Sequence, residues 1–211
     1  MAVVLAGLLL LVLLPAILLS PGVDNGPVIR DRAEWVTFES EIYGFYLEHP
    51  PDWRSAELPE EAPVPGFNIL PPEIDPDEFD VITHNTAVTN VSVFPRGYPT
   101  EGVFGQTRPS TAIFFEDVGS AIDHYLLNDE VWATMIIPED PPAEWSPEGF
   151  IWTRVFINEH EVVCFDEGER ISKESCDPAL GHEIGHSGSI DPSLRMIQEE
   201  ILRSFRFGGE N

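Results

Sequence analysis

A chain of 211 residues with 37 acidic and 11 basic side chains carries a formal net charge of -26, which repels phosphate backbones and anionic headgroups. Neither nucleic acid nor an anionic lipid surface is therefore expected as a partner, and the acidic groups are read as solvated surface. No calcium-loop pattern of the D-x-[DN]-x-[DN]-G kind organises them into a cation site.

Residues 1–23 hold no charged side chain, and Ala2–Leu19 is apolar apart from Gly7 and Pro15. That length lies between a secretory hydrophobic region and a membrane span. Ser20 and Gly22 are small residues placed for cleavage after residue 22, and no cysteine follows, which excludes a lipidated site. Residues 1–22 therefore read either as a signal peptide or as an N-terminal membrane anchor, the latter a transmembrane helix. Both readings place the remainder outside the cytoplasm, with membrane contact only through this segment. Residues 23–34 form a linker, and 35–207 suits one domain with one core; 208–211 is a tail.

The first expected element is a hairpin, from Trp35-Val36-Thr37-Phe38 and Tyr43-Gly44-Phe45-Tyr46-Leu47 around Glu39-Ser40-Glu41. Pro50 and Pro51 end its second strand, and Trp53 should pack back on the sheet. Residues 57–79 read as a long Pro- and acid-rich loop, 87–95 as a strand, and 97–111 as a loop. Asn90-Val91-Ser92 matches a glycosylation sequon, weakened by its strand setting. Val118, Ala121, Ile122, Tyr125 and Leu126 recur at helical spacing, predicting a helix over 118–127. Residues 131–137 are a predicted strand and 138–149 a loop whose Trp145 is a candidate for exposure. Residues 151–157 and 161–165 are predicted strands around an Asn158-Glu159-His160 turn, and 170–173 a short one.

Cys164 and Cys176 are the only cysteines. Outside the cytoplasm a disulfide is their simplest use, with free thiols or a metal role as alternatives. Asp191 and Pro192 form an N-cap and N1 pair opening a helix in which Leu194, Ile197, Ile201 and Phe205 face the core. Gln198, Glu199, Glu200 and Arg203 are expected to face outward, and Phe205-Arg206-Phe207 to end extended.

The one string with catalytic precedent is His182-Glu183-Ile184-Gly185-His186, an HExxH match. In a zinc peptidase both histidines bind the metal from adjacent helical turns, and the glutamate activates water. Gly181, Gly185 and Gly188 disfavour a helix here, each by about 1 kcal/mol, and the next helix already has its own start. As a strand, the segment sets the histidines roughly 13 Å apart, too far for one ion, with Glu183 on the opposite face. The extended HExxHxxGxxH pattern fails at Ser189 and Pro192, and Glu199 or Glu200 lies close in sequence for a third ligand. The strand reading is preferred, with no catalytic, cofactor-binding or metal residues; the alternative is a small secreted peptidase using His182, Glu183 and His186. His49, His84, His124 and His160 read as scattered surface or edge histidines. Ser187 and Ser189 show no nucleophile-elbow context, and Asp166, Glu167 and Glu169 read as a solvated turn.

The run Tyr43-Gly44-Phe45, then Pro50 and Trp53, together with Ile201-Leu202-Arg203-Ser204-Phe205-Arg206-Phe207, resembles the opening and ending of the PsbP-like/Mog1-like proteins. The resemblance spans about Trp35 to Phe207 and implies an α+β sandwich with a central antiparallel sheet and flanking helices. Many bacterial members are secreted or membrane-tethered without known activity, and others bind partner proteins, so no catalytic residue carries over. The expectation is a non-enzymatic extracytoplasmic binding or assembly-accessory domain with a protein partner and no cofactor.

Overall fold

A computed structural model describes residues 32–58, 62, 64–76, 88–98, 106–115 and 119–208. The apolar run 1–22 and His84 lie outside the described residues. Among those described, three antiparallel sheets and one α-helix make a mixed α+β fold. The opening hairpin is β1 (Val36–Ser40) with β2 (Phe45–His49), paired from Val36 with His49 to Ser40 with Phe45. The chain then builds β3 (Arg54–Glu57), β4 (Phe67–Leu70), β5 (Asn90–Phe94), β6 (Thr107–Pro109), β7 (Ser120–Leu127), β8 (Glu130–Pro138) and β9 (Phe150–Arg154). These form one seven-stranded sheet in the order β3-β4-β5-β9-β8-β7-β6.

At Val155 the chain leaves that sheet for a smaller one, made of β10 (Ile157–Asp166), β11 (Glu169–Ile171) and β12 (Glu183–Ile190) in the order β11-β10-β12. The helix α1 (Pro192–Ser204) follows, and β13 (Arg206–Phe207) pairs with β2 to close the first sheet. Asp191 caps α1 as expected, accepting from the Ser193 N–H at 2.8 Å. The Cys164–Cys176 disulfide is formed, with its Cα atoms 5.9 Å apart.

Both faces of the large sheet are covered, and this explains the sharpest disagreements with the sequence. One face carries Phe67, Ile69, Val91, Val93, Ile136 and Ile151 against Phe45 and Leu47 of β2 and Ile201, Leu202 and Phe205 of the helix side. The other carries Phe94, Tyr125, Leu127, Trp132, Phe150 and Trp152, joined by Ile157 of β10. In β9, consecutive residues therefore serve opposite cores, and all of them are buried. The same double burial corrects the helix expected at 118–127. Ile122 enters the first core while Tyr125 and Leu127 enter the second, across a bulge between Tyr125 and Leu126. Apolar residues on both strand faces, shifted by that bulge, imitate a helical stripe. The expected pair of helices thus becomes one helix.

Two other loops hold strands. Phe67-Asn68-Ile69-Leu70 is fully buried as β4 inside the stretch read as loop, because Asn68 interrupts its apolar pattern. Thr107–Pro109 forms the exposed outer strand β6. The turn expected at Asn158-Glu159-His160 is instead a bulge within β10, with Glu159 at φ 52° and the ladder slipping between Asn158 and Glu161. Trp145, a candidate for exposure, is buried: its indole N–H donates to the Tyr43 carbonyl at 2.9 Å, and its ring meets Phe45, Phe205 and Phe207.

Candidate functional site

Beyond β11, the disulfide returns the chain toward β10, and two short 3-10 turns, Lys173–Ser175 and Pro178–Leu180, lead to β12. Asp177 organises the second turn, its carboxylate accepting from the Ala179 N–H at 2.9 Å. Gly181, at φ 90°, ends that turn in a left-handed conformation that a residue with a Cβ rarely adopts. His182 is fixed next, its Nδ1 accepting from the Asp177 N–H at 2.9 Å, so a neutral ring carries its proton on Nε2.

Here the outer strand of each of two sheets borders a single open cleft of about 570 Å³. Gln106, Thr107 and Leu126 line it from the β6–β7 side, and Pro178, His182 and Glu183 from the other. The Gln106 side-chain amide donates to the Glu183 carboxylate at 3.3 Å, bridging the two walls. The cleft therefore offers a carboxylate, an imidazole and an amide beside the apolar Leu126 and Ile184. It has the parts to hold a polar extended chain.

The HExxH residues do not assemble in it. The segment is strand, as expected: Glu183 pairs with Phe165 and His186 with Val162. His182 and Glu183 line the cleft, whereas His186 points away to His160, whose Nε2 lies 2.8 Å from His186 Nδ1. Trp132 meets the His186 ring edge-on, with centroids 5.2 Å apart. Glu199 and Glu200, the possible third ligands, are engaged in ion pairs on α1, Glu199 with Arg195 and Arg203 at 3.2 Å and Glu200 with Arg203. Among the described residues, no group of three or more His, Cys, Asp or Glu side chains is placed to hold a metal ion. The geometry a zinc peptidase requires is not formed.

The remaining histidines are not all at the surface. His49 is buried, with Nδ1 2.9 Å from the Pro50 carbonyl, and burial pushes its pKa down. His124, half-buried, sets Nδ1 2.9 Å from the Thr134 hydroxyl; burial first, then the Arg195 and Arg108 charges, lowers its pKa. Asn90 of the sequon is buried and donates to Asn68 Oδ1 at 3.3 Å, so its amide is not displayed. Glu167 and Gly168 sit at positive φ in the tight β10–β11 turn, which keeps Asp166, Glu167 and Glu169 in solvent, as expected.

Several structural polar residues escaped the sequence reading. Gln198, expected outside, is buried and donates to the carbonyls of Asn90 (3.1 Å) and Arg154. Arg195 is buried beside it, donating to Thr153 Oγ1 at 3.2 Å and Thr134 Oγ1 at 2.9 Å. Arg154 lies on the opposite face of the sheet, where burial lowers its pKa to about 10 and leaves it charged at neutral pH. The available signal was spacing: Arg195, Gln198 and Leu202 recur at helical steps beside the apolar stripe.

Comparison with protein-family models, curated proteins and solved structures gives no match. The expected PsbP-like membership is corrected accordingly, since no family model supports it. The transmembrane helix expected within residues 1–22 lies outside the described residues; among those described, no helix is long and apolar enough to cross a membrane.

Proposed function

We propose that this chain is a non-enzymatic extracytoplasmic domain that binds an extended segment of a partner protein in the cleft between β6 and β12. One observation carries the reading: the outer strands of two different sheets border the same open cleft. An outer strand presents backbone donors and acceptors that an added strand can pair, and nearby side chains then select its sequence. Glu183 in the wall and the net charge of -26 favour a segment bearing Lys or Arg. The extracytoplasmic assignment draws on the disulfide and on the apolar run at residues 1–22. Binding here needs backbone pairing and charge complementarity, so no metal or cofactor enters the reading.

The test is fluorescence anisotropy with labelled decapeptides alternating Val with Lys, and Val with Glu as the control. Saturable binding of the Lys peptide, weakened by Glu183→Lys and by the cleft-filling Thr107→Trp, is expected. Equal binding of both peptides, or binding indifferent to both substitutions, overturns the proposal.

A further inference from the structure

His160 and His186 are brought together by backbone irregularity rather than by regular strand pairing. In the β10–β12 ladder the residue opposite His186 is Val162, not His160. The bulge between Asn158 and Glu161, with Glu159 at φ 52°, carries the His160 ring across to His186. Their facing nitrogens are 2.8 Å apart and their ring centroids 5.0 Å apart, so the two atoms point nearly straight at each other. His186 is buried against Trp132, whereas His160 is half-buried and open on one side. His160 is therefore the freer of the two rings to turn.

We propose that His160 and His186 form a binding site for a late divalent transition-metal ion, Cu²⁺ ahead of Ni²⁺ and Zn²⁺. Binding the ion breaks the hydrogen bond between the two facing nitrogens and turns both lone pairs to the metal. Imidazole suits these metals, and Cu²⁺ stands highest among them in general affinity. Metal–imidazole bonds of about 2.0–2.1 Å put two neighbouring ligands about 3 Å apart. The observed 2.8 Å is close to that spacing, but an ion bonded to both nitrogens lies off the line that joins them, so both rings turn by about 45° to meet it, the half-exposed His160 the more freely. His160 then binds through Nε2 and His186 through Nδ1, with the protons on the opposite nitrogens. A neutral pair achieves this by a tautomer change alone; a singly protonated pair releases one proton.

The site is separate from the peptide cleft, whose histidine is His182. With no third His, Cys, Asp or Glu joining the pair among the described residues, water completes the coordination, which sets affinity in the micromolar rather than nanomolar range. The flanking Glu159 and Glu161 and the strongly acidic surface raise the local cation concentration. By clasping β10 to β12, the ion also stabilises the small sheet in proportion to occupancy.

The experiment is titration of the chelator-treated, dialysed protein with CuCl₂, followed by calorimetry and by electron paramagnetic resonance. One-to-one binding with nitrogen coupling from two imidazoles is expected. His160→Ala, at a half-exposed position, should weaken binding at least tenfold with an unchanged circular dichroism spectrum, while His182→Ala leaves it within twofold. His186→Asn should abolish the second nitrogen coupling. Three outcomes overturn the proposal: no saturable binding, binding in His160→Ala equal to that of the unaltered chain, or loss in His182→Ala alone, which would put the metal in the cleft.

Discussion

On the helix-covered face of the large sheet, Phe45, Phe205, Trp145 and Phe207 interlock through stacked and edge-on contacts. In the β10–β12 sheet, by contrast, only Ile157, Val163 and Cys164 of β10 are buried, and its partner strand contributes Gly185 and His186. The first region is held by apolar area, the second by a covalent clip and a histidine pair. The difference teaches where function can sit: a layer that does not depend on its side chains for burial is free to present them. Both candidate sites border that thinner layer.

The contrast can be broken most directly at Phe205. Phe205→Ala removes its contacts with Phe45, Phe115, Trp145 and Phe207 and should cost about 3–5 kcal/mol in urea unfolding. A loss below about 1 kcal/mol would mean that the aromatic layer does not carry the fold. Cys164→Ser with Cys176→Ser should cost about 3 kcal/mol from loop entropy. Hydrogen exchange should then accelerate in β10–β12 and not in β5 or β9; uniform acceleration would erase the distinction. Gln198→Leu leaves the Asn90 and Arg154 carbonyls without that donor and should cost about 1–3 kcal/mol. Asp191→Ala removes the α1 cap for about 1 kcal/mol.

Acidification gives the subtlest test. His49, His124 and His160 all have folded pKa values below the ordinary 6.5, so between the two values the unfolded chain binds more protons. Stability is full above pH 6.5 and falls as the pH drops through the lowered values. His49→Gln should flatten that slope; a slope of the opposite sign would contradict the burial of these rings.

How much of this was readable follows from which rule each segment obeys. The opening hairpin and the capped helix follow single-face patterning, with Phe45 and Leu47 inward and Asp191 before Pro192, and they appear as expected. The strand nature of residues 183–190 was readable from glycines that a helix tolerates poorly. Strands β4 and β7 were not, because Asn68 and Tyr125 occupy positions that make sense only when both faces of the sheet are covered. The His160–His186 pair was hidden for a different reason: it depends on a bulge, and nothing in Asn158-Glu159-His160 separates a bulge from a turn. The cleft joins Gln106 to Glu183 across the fold, a proximity that no local pattern encodes.

The pairing of β13 with β2 has a consequence in time. Arg206 and Phe207 lie opposite Tyr46 and Phe45 in the ladder, and Phe205 stacks on Phe45, so an early strand of the domain is completed by a late one. During synthesis Phe45 and Leu47 stay only partly covered, by residues such as Phe67 and Trp145, until residues 201–207 have left the ribosome. Contacts so distant along the chain make folding slow and expose apolar surface meanwhile. A nascent chain halted before Ile201 should therefore be a substrate for holding chaperones, and release of the final turn of α1 with β13 should be the event that closes the domain.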